Sequence, residues 1–389
     1  MRWSFPVGAF VATFLFYLAG ADEFVGFGMD DAHYVEQARR FARGDLELAS
    51  PYFPVGYPAF LSLSARFAPD VRSELAIDKA ISALFAAGAV LLVFRLAVDR
   101  LGMPRSRSLL LAALTAVSPR WAYLGCQVLA EAPFCFFSLL FLHLYLGVRG
   151  SPSIRPAALV ALGASIVAAA AMRTIALALL LAVVADQGVE VLRGRGRRRA
   201  LALLGVPIVA LGLWCGFVDG ALPYQFAWKI YPGTERALQG WEAPSEPLPV
   251  RFVRSLAANL YSEVGAANLP ALDTRAAGRL AKTPHGAWGL GLVRGGLLAL
   301  LALGLRERLA RGRVLALYWL ISLSVFSIQV WPVGKFLVPL TPLSIDLLLA
   351  GAWSLAQGPR TRVAGGAALA LVVLAGCASS LHRSAAAIR

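Results

Sequence analysis

Met29-Asp30-Asp31-Ala32-His33-Tyr34 sets two adjacent carboxylates a few residues beyond the first long hydrophobic run, and the reading of the chain turns on it. From Ala32 to Arg43, Tyr34, Val35, Ala38, Phe41 and Ala42 recur at helical spacing, with Glu36, Gln37, Arg39, Arg40 and Arg43 between them. That period predicts an amphipathic helix lying in the plane of a membrane interface. Asp30 or Asp31 is placed to cap its start and Gly44 to stop it. Pro51-Tyr52-Phe53-Pro54-Val55-Gly56-Tyr57-Pro58 then predicts a rigid turn, with Pro58 opening a second surface helix that runs to Phe67.

The flanking sequence says what kind of surface this is. The 389 residues are 58% hydrophobic and 15% charged, with mean hydropathy +0.67. A soluble domain is about 45–50% apolar with about 25% charge, so the expectation is an all-α polytopic membrane protein. The formal charge of +15, from 37 basic and 22 acidic residues, invites a nucleic-acid reading. It fails, because the basic residues come as short clusters between apolar runs, with no polar domain to gather them. Cys126, Cys135, Cys215 and Cys377 lie in or beside apolar runs without metal-ligand spacing, and read as small buried hydrophobes.

A span takes about 20 apolar residues. About eleven can be placed, near 3–20, 75–98, 107–123, 127–148, 157–172, 174–192, 200–218, 286–305, 314–331, 336–355 and 363–380. Arg2, the first apolar run and Ala19-Gly20-Ala21 resemble a cleavable signal. An uncleaved first span is the expectation, since later spans make a separate export signal unnecessary. With the N-terminus cytoplasmic, the gaps at 99–107, 149–155, 193–199, 306–313 and 360–362 all fall inside, and each is short and basic. The short outer gaps carry only Arg120, Arg173 and Lys335. This is the bias that short loops obey.

Two gaps, 21–74 and 219–285, are too long to be connectors and both fall outside. The second is interrupted by prolines and rich in aromatic and basic residues, among them Trp228, Trp241, Arg251 and Arg254. Interfacial anchoring explains the aromatics, and a basic loop would also suit an anionic sugar phosphate.

These residues resemble the GT-C superfamily of integral-membrane glycosyltransferases. Its first outer loop carries an acidic motif, an interfacial helix and a Pro-Pro-Gly-Tyr-Pro-like turn, as in Asp30-Asp31-Ala32-His33-Tyr34 and Phe53-Pro54-Val55-Gly56-Tyr57-Pro58. Three more segments are similar to the branch of the protein O-mannosyltransferases and the lipid A aminoarabinose transferase. They are Leu129-Ala130-Glu131-Ala132-Pro133-Phe134, Met172-Arg173-Thr174 and Lys335-Phe336-Leu337-Val338-Pro339-Leu340-Thr341-Pro342. Lys335-Phe336 stands where the family has Arg-Tyr, and Ala130 where it has Ser; the lysine keeps the charge but loses bidentate phosphate geometry.

The resemblance implies one glycosyltransferase domain over 1–389, with 21–74 as its catalytic loop, in a bacterial inner membrane with the active site on the outer face. A sugar on a polyprenyl phosphate would pass to a lipid, glycan or protein hydroxyl, with inversion at the anomeric carbon. Besides donor and acceptor, the expected partners are membrane lipids and not nucleic acid. Asp30 matches the catalytic carboxylate and reads as general base, or else as a helix cap. Asp31 has the weaker catalytic claim and fits a cap or support role equally, and a divalent metal on the pair is compatible but not required. Glu131 either orients the acidic loop or acceptor, or pairs with Arg120 or Arg173. Arg173 and Lys335, and more weakly Arg251 and Arg254, are expected at the donor phosphate; the alternative for Arg173 and Lys335 is snorkelling to the interface. His33, Tyr34 and Tyr57 are expected around the pocket as packing groups. Asp346 and His143 read as interior hydrogen-bonding groups. The competing functions are a transporter or flippase, which would concentrate charge at the membrane midplane, and an inactive scaffold of the same fold.

Overall fold

A computed structural model describes residues 4–21, 29–46, 54–194, 197–217, 247–262, 284–328, 337–357, 361–368 and 370. Regular structure among them is helical throughout. In chain order the principal helices are α1 (Ser4–Ala19), α2 (Met29–Ala42), α3 (Gly56–Phe67), α4 (Val71–Arg95), α5 (Arg105–Val117), α6 (Pro119–Cys126) and α7 (Glu131–Gly150). They continue as α8 (Pro156–Met172), α9 (Leu177–Leu192), α10 (Arg197–Phe217), α11 (Leu248–Ser262), α12 (Pro284–Arg311), α13 (Arg313–Ile328) and α14 (Thr341–Gln357). One π-helical turn, Leu96–Arg100, prolongs α4, and 3-10 turns precede α9 and α14.

Helix underlies every expected span, although the last, at 363–380, lies largely outside the described residues. Among the described residues, five stretches are long and apolar enough to cross a membrane alone: Val71–Arg100, Glu131–Gly150, Thr174–Leu192, Arg198–Gly216 and Val338–Gln357. Pro6–Ala19, Pro156–Met172 and Arg313–Ser327 are apolar but shorter. At about 1.5 Å per residue such helices reach roughly 20–26 Å, less than the ~30 Å of a hydrocarbon core. The expected span at 107–123 is two helices. Ser118 breaks it in an extended conformation (ψ 126°), because the ring of Pro119 keeps the preceding residue out of the helical region.

The chain divides into two compact units, Met1–Arg100 with Ala122–Ala243, and Leu101–Trp121 with Pro244–Arg389. In the second, Arg308 of α12 holds Asp346 of α14 through two hydrogen bonds of 2.6 Å. Trp319 donates to Ser344, and Asn259 of α11 to Ser327 of α13. Asp346 is thus an interior partner, as its place inside a span suggested.

The first unit carries the features of the acidic loop. α2 begins at Met29, so Asp30 and Asp31 stand inside its first turn and not before it, as the capping expectation had it. The helix can start earlier because carboxylates at its positive end are favourable. It stops at Gly44, whose φ of +84° is the left-handed conformation that glycine adopts without cost. α3 opens at Gly56, two residues before Pro58, and there it meets α8. A side-chain carbon at Gly56 would lie 2.7 Å from the carbonyl oxygen of Ala171, so only glycine lets α3 come this close. Asp70 caps α4, accepting from the Ser73 amide at 2.8 Å, and that bond holds its carboxyl below the usual range.

Candidate active site

Tyr34, Val35, Gln37 and Ala38 form the buried face of α2, while Glu36 is exposed. The period read from the sequence therefore faces inward, and Gln37 joins it. Tyr34 meets Tyr57 of α3 edge to face, with ring centroids 5.1 Å apart and planes at 82°. That geometry sets the positive ring edge against the negative face. The Tyr57 hydroxyl is 3.2 Å from that of Ser82 on α4, and burial pushes the phenol well above its ordinary pKa. α2 and α3 thus make a two-helix platform, closed by aromatic rings and seated on α4 and α8.

The first turn of α7 supplies the charge beneath it. Glu131 and Arg173 approach to 2.8 Å, with side chains 2% and 8% exposed. Arg173 sits where α8 ends, in an extended conformation between that helix and the following 3-10 turn. Its Nη1 donates to the Tyr34 hydroxyl at 3.3 Å. Neither carboxylate oxygen of Glu131 accepts a well-aligned hydrogen bond among the described residues. The Arg173 contact is close in charge but poor in angle, which leaves acceptor capacity on a buried carboxylate. A chain of contacts runs from Glu131 through Arg173 and Tyr34 to Tyr57, joining residues 23 to 139 positions apart.

Asp30 and Asp31 are placed by their backbone only, in the first turn of α2; Asp30 precedes Tyr34 by one helical turn. His33 is half-buried beside Tyr34. Arg251 (6% exposed) and the exposed Arg254 lie on α11 in the second unit. Lys335 lies outside the described residues. The structure thus brings together Glu131, Arg173, Tyr34 and Tyr57. Of the two partners expected for Glu131 it selects Arg173, which is buried in an ion pair instead of snorkelling.

The far end of α7 is built from different chemistry. Arg149 lies 3.4 Å from Asp186 and 3.2 Å from Glu190 of α9. Tyr145 donates to Asp186 at 2.6 Å, and Gln187 donates to Tyr145. Arg199 donates to the Arg149 and Pro152 carbonyls, and Arg100 donates to His143 at 3.2 Å. Arg100, Arg149 and Arg199, assigned to one membrane side by the charge pattern, gather at this end, and the acidic-loop residues at the other.

Sequence reasoning missed one row of residues. Arg39 of α2 donates from Nε to both oxygens of Glu74, at 3.1 and 2.9 Å. Ser64 of α3 donates to Asp78. Glu74, Asp78 and Ser82 recur at every fourth position on α4, a visible period in a segment read only for its hydropathy. Among the described residues, no group of three or more His, Cys, Asp or Glu gathers in a way that could hold a metal; the Asp30 and Asp31 side chains are not among them.

Helical spans, a platform of two short helices after the first, and a buried acid–arginine pair beneath it make this an all-α polytopic membrane protein, and its likeness to solved structures gives it the GT-C fold. In particular, the chain is similar to ArnT from Cupriavidus metallidurans bound to undecaprenyl phosphate, with TM-score 0.59 and 16% identity over 94% of this chain and 63% of that one. It is also similar to the archaeal oligosaccharyltransferase AglB from Archaeoglobus fulgidus in complex with an inhibitory peptide and a dolichol-phosphate. There the TM-score is 0.54 and the identity 14%, over 97% of this chain and 56% of that one. The chain thus spans less than two thirds of the length of the structures it matches. No family model and no curated protein sequence matches it.

Proposed function

We propose that this protein transfers a sugar from a polyprenyl-phosphate donor to an acceptor hydroxyl of a lipid, glycan or protein, at the outer face of a bacterial inner membrane. The observation that carries this reading is the Glu131–Arg173–Tyr34 chain of contacts. It fixes the helix whose first turn holds Asp30 and Asp31 over a buried carboxylate with unused acceptor capacity. The fold shared with ArnT and AglB supports it further.

In this reading Asp30 takes the proton of the acceptor hydroxyl as general base. The hydroxyl oxygen attacks the anomeric carbon, and the bond from that carbon to the phosphate oxygen breaks. The electron pair leaves on the polyprenyl phosphate, and one direct displacement inverts the anomeric centre. Asp31 supports the base, and Glu131 orients the platform or the acceptor. Arg173, paired with Glu131, and Lys335, with Arg251 and Arg254 as weaker contributors, hold the developing phosphate charge. The loops 21–74 and 219–285 would form the catalytic side of one domain over 1–389. A divalent metal on the Asp30–Asp31 pair is compatible with these steps but not required by them.

The test is turnover of a radiolabelled polyprenyl-phosphate sugar by the purified full-length protein in lipid nanodiscs. Transfer should occur, and Asp30→Asn should lower it by about 10²–10⁴-fold, the span of general base catalysis. Unchanged transfer in Asp30→Asn removes Asp30 from the base role. Movement of the lipid across a bilayer without transfer favours a flippase.

A further inference from the structure

α4 carries two carboxylates and a hydroxyl that a membrane helix does not need. Glu74 is 5% exposed, and Asp78 and Ser82 are fully buried. Their spacing of four sets them in one row along the helix, where two like charges repel. Buried carboxylates in an apolar helix are costly unless each finds a partner. The partners come from the platform: Arg39 of α2 for Glu74, Ser64 of α3 for Asp78, and Tyr57 of α3 for Ser82. Each rung joins α4 to a different point on α2 or α3. The Ser82 rung continues through the Tyr57–Tyr34 ring contact to Arg173 and Glu131.

We infer that Glu74, Asp78 and Ser82 are positioning residues, which set the height and tilt of the α2–α3 platform and with it the first turn that carries Asp30. Three separated rungs fix orientation, where one would fix only distance. Apolar packing between α3 and α4 could supply adhesion, but it slides; directional bonds to charged acceptors do not. The consequence for transfer rests on the function proposed above, whereas the mechanical claim does not.

Hydrogen–deuterium exchange on the full-length protein in nanodiscs tests the mechanical claim directly. In Glu74→Ala and Asp78→Ala, amides of α2 and α3 should exchange about tenfold faster or more, while those of α7 and α9 stay within about twofold. Asp78→Asn keeps an acceptor for Ser64 and should restore slow exchange. Ser82→Ala should give an intermediate change and serves as the reading if the alanine variants at 74 and 78 do not fold. In the transfer assay, kcat should fall about tenfold with the donor KM unchanged, and Asp78→Asn should recover it. Unchanged exchange in α2 and α3, or equal acceleration in α7 and α9, overturns the proposal. If the wild type transfers nothing, the functional reading falls and exchange still decides the positioning role.

Discussion

Replacing Arg173 by methionine would strand Glu131, 2% exposed, without its cation. Breaking one side of a buried pair leaves an uncompensated charge and costs about 3–5 kcal/mol. The long bond to Tyr34 adds about 1 kcal/mol. Glu131→Gln combined with Arg173→Met removes both charges, so the double variant should be much less destabilised than the two single costs summed. The coupling should fall at the upper end of roughly 0.5–3 kcal/mol. Chemical unfolding of the four proteins in mixed micelles, followed by tyrosine and tryptophan fluorescence, closes the cycle. A coupling below about 0.5 kcal/mol, the value of an exposed ion pair, would refute the claim that this contact is dry and holds the platform.

Three further outcomes are expected. Gly56→Ala forces a methyl against the Ala171 carbonyl and should destabilise by about 1–3 kcal/mol in the same assay; a neutral result would mean that α3 and α8 can part freely. The Arg39–Glu74 pair should respond asymmetrically. Arg39 is 37% exposed and can turn to water, while Glu74 at 6% cannot, so Arg39→Met should cost more than Glu74→Gln, and the reverse order would count against the burial argument. Asp70 has a lowered pKa, so its cap contributes fully above the ordinary carboxylate value of about 4 and fades as pH falls through the lowered one. Exchange at the first amides of α4 should rise with acid in the wild type, and in Asp70→Asn should not depend on pH beyond the intrinsic rate.

The helices under the apolar runs, the amphipathic helix after the first of them and its glycine stop were legible because each is written locally, in periods of three to four residues or in a single backbone preference. The helix start was misjudged by a turn, since an aspartate serves a cap or a first turn almost equally well. Partnerships were harder. Arg173 read equally as a phosphate contact, a snorkelling cation or the partner of Glu131, because nothing local to it says which helix end it will face. Glu74 and Asp78 were passed over for a different reason. A hydropathy window averages two carboxylates into the alanines and isoleucine around them, and the cation that pairs with Glu74 lies 35 residues earlier. The break at Ser118 was available in the proline that follows, but the apolar run hid it.

α7 ties the two ends of the first unit together, with Glu131 in one polar network and Arg149 in another. Eighteen residues of helix set these anchors ~27 Å apart, close to the ~30 Å of a hydrocarbon core. A helix held at both ends is a gauge. It cannot absorb a thicker or thinner bilayer by tilting alone, as a free span does, because tilt drags one network out of register with its neighbours. The lipid must deform around it, or the weaker network must open. The platform is thereby coupled to bilayer thickness through a helix that carries neither aspartate of its first turn.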